Sequence, residues 1–97
     1  MSKAEQADKL LRDALPQLQN GQLVQARQLC ERALKLAPRH PDALHLLGII
    51  GLQNREYAAA RESLEQAVSI RPDHPDYQAN LAYSYIGLER VPDALAA

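Results

Sequence analysis

The side chains with chemistry in reach are three histidines, one cysteine and a scatter of carboxylates. His40 and His74 sit in near-copies of one short run, Pro38-Arg39-His40-Pro41-Asp42 and Pro72-Asp73-His74-Pro75-Asp76. A shared metal ion is the first use such a pair suggests. Cys30 would be a nucleophile if its thiolate were stabilised. Neither has the company its chemistry needs. No Ser/His/Asp or Cys/His arrangement, Gly-rich phosphate loop or HExxH helix stands in the sequence. The expectation is therefore a non-enzyme without cofactor or metal. His45, Asn80, Tyr83 and the carboxylates of Asp42 and Asp76 remain as groups that could bind a partner.

The elements that must position them are helices. Ala and Leu dominate the composition, whereas Val and Ile are few and Thr, Phe and Trp are absent. Strands favour β-branched and aromatic residues, and helices that approach closely favour small ones. A net charge of −1 gives no field aimed at nucleic acid or an anionic membrane. Basic residues are scattered and Tyr is not interleaved with them, which argues against RNA. No stretch reaches the roughly 18 apolar residues of a membrane span, and the polar start Met1-Ser2-Lys3-Ala4-Glu5-Gln6 has no secretory h-region. With one cysteine and no internal disulfide, the expected location is cytoplasmic.

The proline runs recur at a fixed offset, Pro38 to Pro72, and many other identities lie on that diagonal. Ala26 pairs with Ala60 and Ala94, Ala33 with Ala67, Arg27 with Arg61, Glu31 with Glu65, Leu47 with Leu81, and Leu18 with Leu52 and Ile86. The chain divides into a leader 1–6, units 7–40 and 41–74, and a partial unit 75–97, read together as a single domain 1–97. Each unit carries two helical patterns. In the middle one, Leu44, Leu47, Gly48, Gly51 and Leu52 predict a helix over 41–53. Pro41 at its first position and Asp42 in its first turn suit a helix start. Asn54-Arg55-Glu56 reads as a turn, and Ala60, Leu64, Ala67 and Val68 predict a second helix over 57–70, stopped by Pro72. In the first unit, Ser2 and Glu5 form a capping box ahead of Leu10, Leu11, Ala14, Leu15 and Leu18, and Pro16 should kink that helix. Asn20-Gly21 turns the chain into a helix over 23–36. In the third, a helix opens at Pro75, Glu89-Arg90 makes the turn, and another helix opens at Pro92.

This pattern, with its period of about 34 residues, resembles the tetratricopeptide repeat. The middle unit supplies Leu44, Leu47, Gly48, Gly51, Ala60, Leu64, Ala67 and Pro72 at the family's positions, with Gly51 in place of the preferred Tyr. The first supplies Leu10, Asp13, Ala14, Gln17, Ala26, Cys30, Ala33 and Pro38, and the third Gln78, Leu81, Ala82, Tyr85 and Ala94. The resemblance implies an all-α fold, a right-handed α-solenoid of antiparallel helix pairs with about two and a half repeats, forming the N-terminal segment of a larger bacterial protein. It also implies a concave groove, lined by the first helix of each pair, that binds a peptide or a partner helix. Groove positions fall on Leu11, Leu15, Leu18, Asp42, His45, Ile49, Leu52, Asp76, Ala79, Asn80 and Tyr83. Family members that hold a C-terminal carboxylate do so with Lys, Asn and Arg. Leu11, Leu15, Leu46, Asp76 and Asn80 stand at those places, so that clamp lacks its cations.

Asn80 resembles the groove asparagine with which O-GlcNAc-transferase-type repeats grip peptide backbone. Asp42-Ala43-Leu44-His45-Leu46-Leu47-Gly48 resembles the opening repeats of bacterial proteins with a glycosyltransferase or sulfotransferase domain further on. The likeness also reads Cys30 and Tyr85 as core residues. It makes His40 and His74 helix-start residues about 10 Å apart, too far to share a metal. Repeat arrays need polar capping helices, so self-association through the last unit is a further expectation. Pro92–Ala97, too few residues for a helix alone, are expected to fray or to be covered by a second copy.

Overall fold

The computed structural model describes residues 1–90. They form five helices: α1 (Lys3–Gln19), α2 (Leu23–Leu36), α3 (Pro41–Gln53), α4 (Tyr57–Ile70) and α5 (Pro75–Arg90). No strand occurs among the described residues.

The helix starts follow from local chemistry. The Glu5 N–H donates to Ser2 Oγ at 3.1 Å and the Ser2 N–H donates to Glu5 Oε1 at 3.2 Å, so the capping box forms as expected. His40 caps α3, its Nδ1 accepting from the Ala43 N–H at 3.4 Å, with Pro41 next in line. The α1–α2 and α3–α4 turns share one geometry, in which Gly21 and Arg55 adopt φ of 77° and 60°. Glycine takes that backbone freely, whereas for Arg55 it costs about 1 kcal/mol. α1 runs unbroken past Pro16.

Each helix packs on its sequence neighbours: α1 on α2, α2 on α3, α3 on α4 and α4 on α5. The main core joins Ala7, Leu11 and Ala14 of α1 to Ala26, Cys30 and Ala33 of α2 and to Ala43, Leu46 and Ile50 of α3. Leu44, Ala67 and Tyr77 form a second cluster across α3, α4 and α5. Small residues set the spacing. A Cβ at Gly48 would lie 2.5 Å from Leu64 Cγ, and one at Gly51 would lie 3.0 Å from Ala60 Cβ.

Two expectations need correction, both in α5. The turn expected at Glu89-Arg90 is absent, because α5 continues through Arg90. The preceding turn relies on Asn54 before Arg55, whereas the equivalent positions hold Leu88, Glu89 and Arg90, all good helix formers. Tyr85, expected in the core, is 44% exposed, and its hydroxyl donates to Glu65 at 3.3 Å. Its counterpart Gly51, with Leu44 and Gly48, is buried against α4, whereas Gln78, Ala82 and Tyr85 are exposed. The readings made for Ala94 and for Pro92–Ala97 lie outside the described residues.

Candidate functional site

α1, α3 and α5 lie side by side and share one face of the stack. That face carries two hollows. The first, of about 490 Å³, lies between α1 and α3 and is lined by Asp8, Leu11, Arg12, Leu15, His40, Asp42, His45 and Leu46. Its apolar floor is Leu11 and Leu46, both buried, with Leu15 46% exposed beside them. Asp8, Arg12 and Asp42 put charge on the rim. His40 Nδ1 accepts a backbone N–H, so Nε2 carries the proton and donates to Asp8 Oδ1 at 2.6 Å, tying α3 to α1. The second hollow, of about 340 Å³, is lined by Leu52, Gln53, Tyr57, Tyr83, Ile86, Gly87 and Arg90.

Of the groove residues named from the sequence, Leu11, Leu15, Asp42 and His45 come together in the first hollow, and Leu52 and Tyr83 in the second. Leu18 and Ile49 are half-buried and pack against the main core instead. Asp76 and Ala79 are exposed outside both hollows, and Asn80 reaches the face through His45. Asp8, Arg12, His40, Tyr57 and Arg90 were missed. The repeat offset held a signal for two of them, since Asp8 stands one repeat before Asp42 and Arg12 one repeat before Leu46.

The two inter-repeat junctions differ in kind. At the first, Ala43, Leu46 and Ile50 of α3 are buried and apolar. At the second, the residues one repeat further on are Tyr77, Asn80 and Ser84. Tyr77 is fully buried and its hydroxyl donates to Asp42 Oδ1. Burial and that carboxylate push its pKa well up, so it stays a donor. Ser84, also fully buried, donates to Leu81 O at 2.6 Å. Asn80 Nδ2 meets His45 Nε2 at 2.7 Å. The His74 ring stacks on Tyr77 with centroids 3.9 Å apart, and His45 tilts against the same ring at 4.6 Å. Burial first, and then His74, hold the His45 pKa below its ordinary 6.5, against Asp42 and Asp76. His74 precedes α5 where His40 precedes α3, but its Nδ1 is buried without a hydrogen-bond partner among the described residues. Cys30 is buried in the core as expected, and burial, with Glu31 beside it, pushes its thiol up to about 12. Among the described residues no three His, Cys, Asp or Glu side chains are grouped to hold a metal, and no helix is long and apolar enough to cross a membrane.

Repeating helix pairs at this spacing, closed by small residues, match the family model of the tetratricopeptide repeat over residues 11–75 and 52–97. The chain belongs to the tetratricopeptide repeat family. Such repeats are non-catalytic modules that generally mediate protein–protein interaction. The helical solenoid is also similar to a solved structure, a mutant of the Thermobaculum terrenum O-GlcNAc transferase, with a TM-score of 0.85 and 29% identity. The alignment covers 93% of this chain and 18% of that one, so the repeats span under a fifth of the transferase. No curated protein sequence matches the chain.

Proposed function

We propose that the chain, acting as one domain of two units, 7–40 and 41–74, and a partial third, 75–97, binds an extended peptide or a partner helix along the α1–α3–α5 face. The observation that carries this is the first hollow, an apolar floor with a charged rim in a family whose members generally bind proteins. Leu15 and Tyr83, both exposed, supply apolar contact, and Asn80 supplies a side chain that both donates and accepts to peptide backbone. Asp42, His45 and Leu52, which line the two hollows, complete the surface. A cytoplasmic setting suits the lone buried thiol.

The test is selection of peptides from a random display library on the immobilised chain, followed by binding of a selected peptide to Leu15→Arg. Leu15 is half-exposed, so the variant should fold as the parent does. Binding should weaken about tenfold or more, as for loss of an interface anchor. Unchanged binding would place the peptide elsewhere.

A second reading follows from the similarity to the transferase: the repeats recruit substrate for a glycosyltransferase or sulfotransferase domain in the same protein. Reading the coding sequence after Ala97 decides it. A transferase domain there supports recruitment, and a frame holding none contradicts it.

A further inference from the structure

Asn80 has one protein partner among the described residues, His45. An amide nitrogen only donates, so His45 Nε2 accepts and the neutral ring carries its proton on Nδ1. This arrangement leaves Asn80 one N–H and its carbonyl oxygen, the pair needed to donate to and accept from a backbone at once. Protonation of His45 inverts it. An imidazolium has hydrogen on both nitrogens, so Nε2–H requires an acceptor, and the acceptor on Asn80 is Oδ1. The amide must turn over, committing one lone pair of its carbonyl to His45 and exchanging the positions of donor and acceptor that it offers a ligand.

We propose that His45 is a positioning residue for Asn80, its neutral ring fixing which side of the amide donates and which accepts, its protonated ring exchanging the two. What Asn80 contacts rests on the groove reading above; the coupling itself belongs to the free chain.

The surroundings of His45 bear on where this happens. Asp42 lies one turn earlier on α3, and α5 presents Asp76, Tyr77 and Asn80. The His74 ring lies 6.3 Å away, Arg71 stands beside Tyr77, and Asp8, Arg12 and His40 line the same hollow. The His74 ring is stacked flat on Tyr77, and the ring nitrogen that meets Asn80 is that of His45.

Nitrogen NMR of the histidine rings and asparagine amides across an acid titration tests the coupling without a ligand. The expected result is the Nδ1–H tautomer of His45 at neutral pH. The Asn80 side-chain amide should shift with the His45 midpoint and be flat with pH in His45→Gln. An Nε2–H tautomer, or an Asn80 amide indifferent to His45 titration, overturns the proposal. A peptide selected on the parent chain provides the second readout. It should bind about three- to tenfold more weakly at about pH 5 than at about pH 7.5, the effect of one hydrogen bond. That dependence should vanish in His45→Gln, and its persistence there refutes the role of His45. If no peptide binds at all, the groove reading fails while the NMR still decides the coupling.

Discussion

Gly48→Ala puts a single methyl group where α3 meets α4, and the structure gives both sides of its balance. The new Cβ would lie 2.5, 2.7 and 3.1 Å from Leu64 Cγ, Cδ2 and Cδ1. Leu64 is fully buried, so its branch point cannot swing into solvent and the helices must part. Overpacking of this kind costs about 1–3 kcal/mol. Against it, Ala in a helix interior is favoured over Gly by about 1 kcal/mol. The overlap wins, leaving a net loss of about 1 kcal/mol. With a urea m-value of about 2 kcal/mol/M for a chain of this size, the midpoint falls by about 0.5 M. Urea unfolding followed by far-UV circular dichroism measures it. Leu64→Ala supplies the control. Alone it costs about 2–5 kcal/mol, but in its background Gly48→Ala has room and should turn neutral or stabilising. A raised midpoint for Gly48→Ala in the parent chain would refute the argument that residue 48 is small because Leu64 needs the space.

Cys30 should resist alkylation in the folded chain, because its thiol is buried and pushed up to about 12, and should react freely in denaturant; labelling followed by mass spectrometry checks this, and rapid native labelling contradicts it. Tyr77→Phe keeps the ring stack but removes the bond to Asp42, and should cost about 1–1.5 kcal/mol by denaturant unfolding. A neutral result would make the hydroxyl dispensable. His45 gives a pH dependence of fixed sign. Its folded pKa lies below the ordinary 6.5 of the unfolded chain, so on acidification the unfolded state takes up the proton first. This contribution to stability is full above about pH 6.5 and is lost as pH falls from there toward the folded pKa. Unfolding midpoints across that window should fall less in His45→Gln than in the parent, and parallel curves would remove His45 as the cause.

The repeat and all five helix starts were legible because they depend on local signals: the Ser2–Glu5 box, the prolines at 41 and 75, Gly21 in the first turn and Asn54-Arg55-Glu56 in the second. The repeat offset carried them from unit to unit, and it failed where the units stop being equivalent. Leu88, Glu89 and Arg90 occupy the place of a turn but propagate a helix. Tyr85 has a core residue's position in the repeat but is exposed, its hydroxyl reaching Glu65 of α4. The polar junction was hidden for a related reason. Tyr77, Asn80 and Ser84 are legible as departures from Ala43, Leu46 and Ile50, but their partners Asp42 and His45 lie on another helix, reached only through the packing of α3 and α5. Asp42 suits a helix start for its charge, which concealed its second role as acceptor for Tyr77.

The groove is tested most directly by mapping amide chemical-shift changes on the labelled chain as a selected peptide is added. Changes should concentrate on α1, α3 and α5, at Leu11, Leu15, Asp42, His45, Asn80 and Tyr83. Changes concentrated instead on the outer surfaces of α2 and α4 would contradict it.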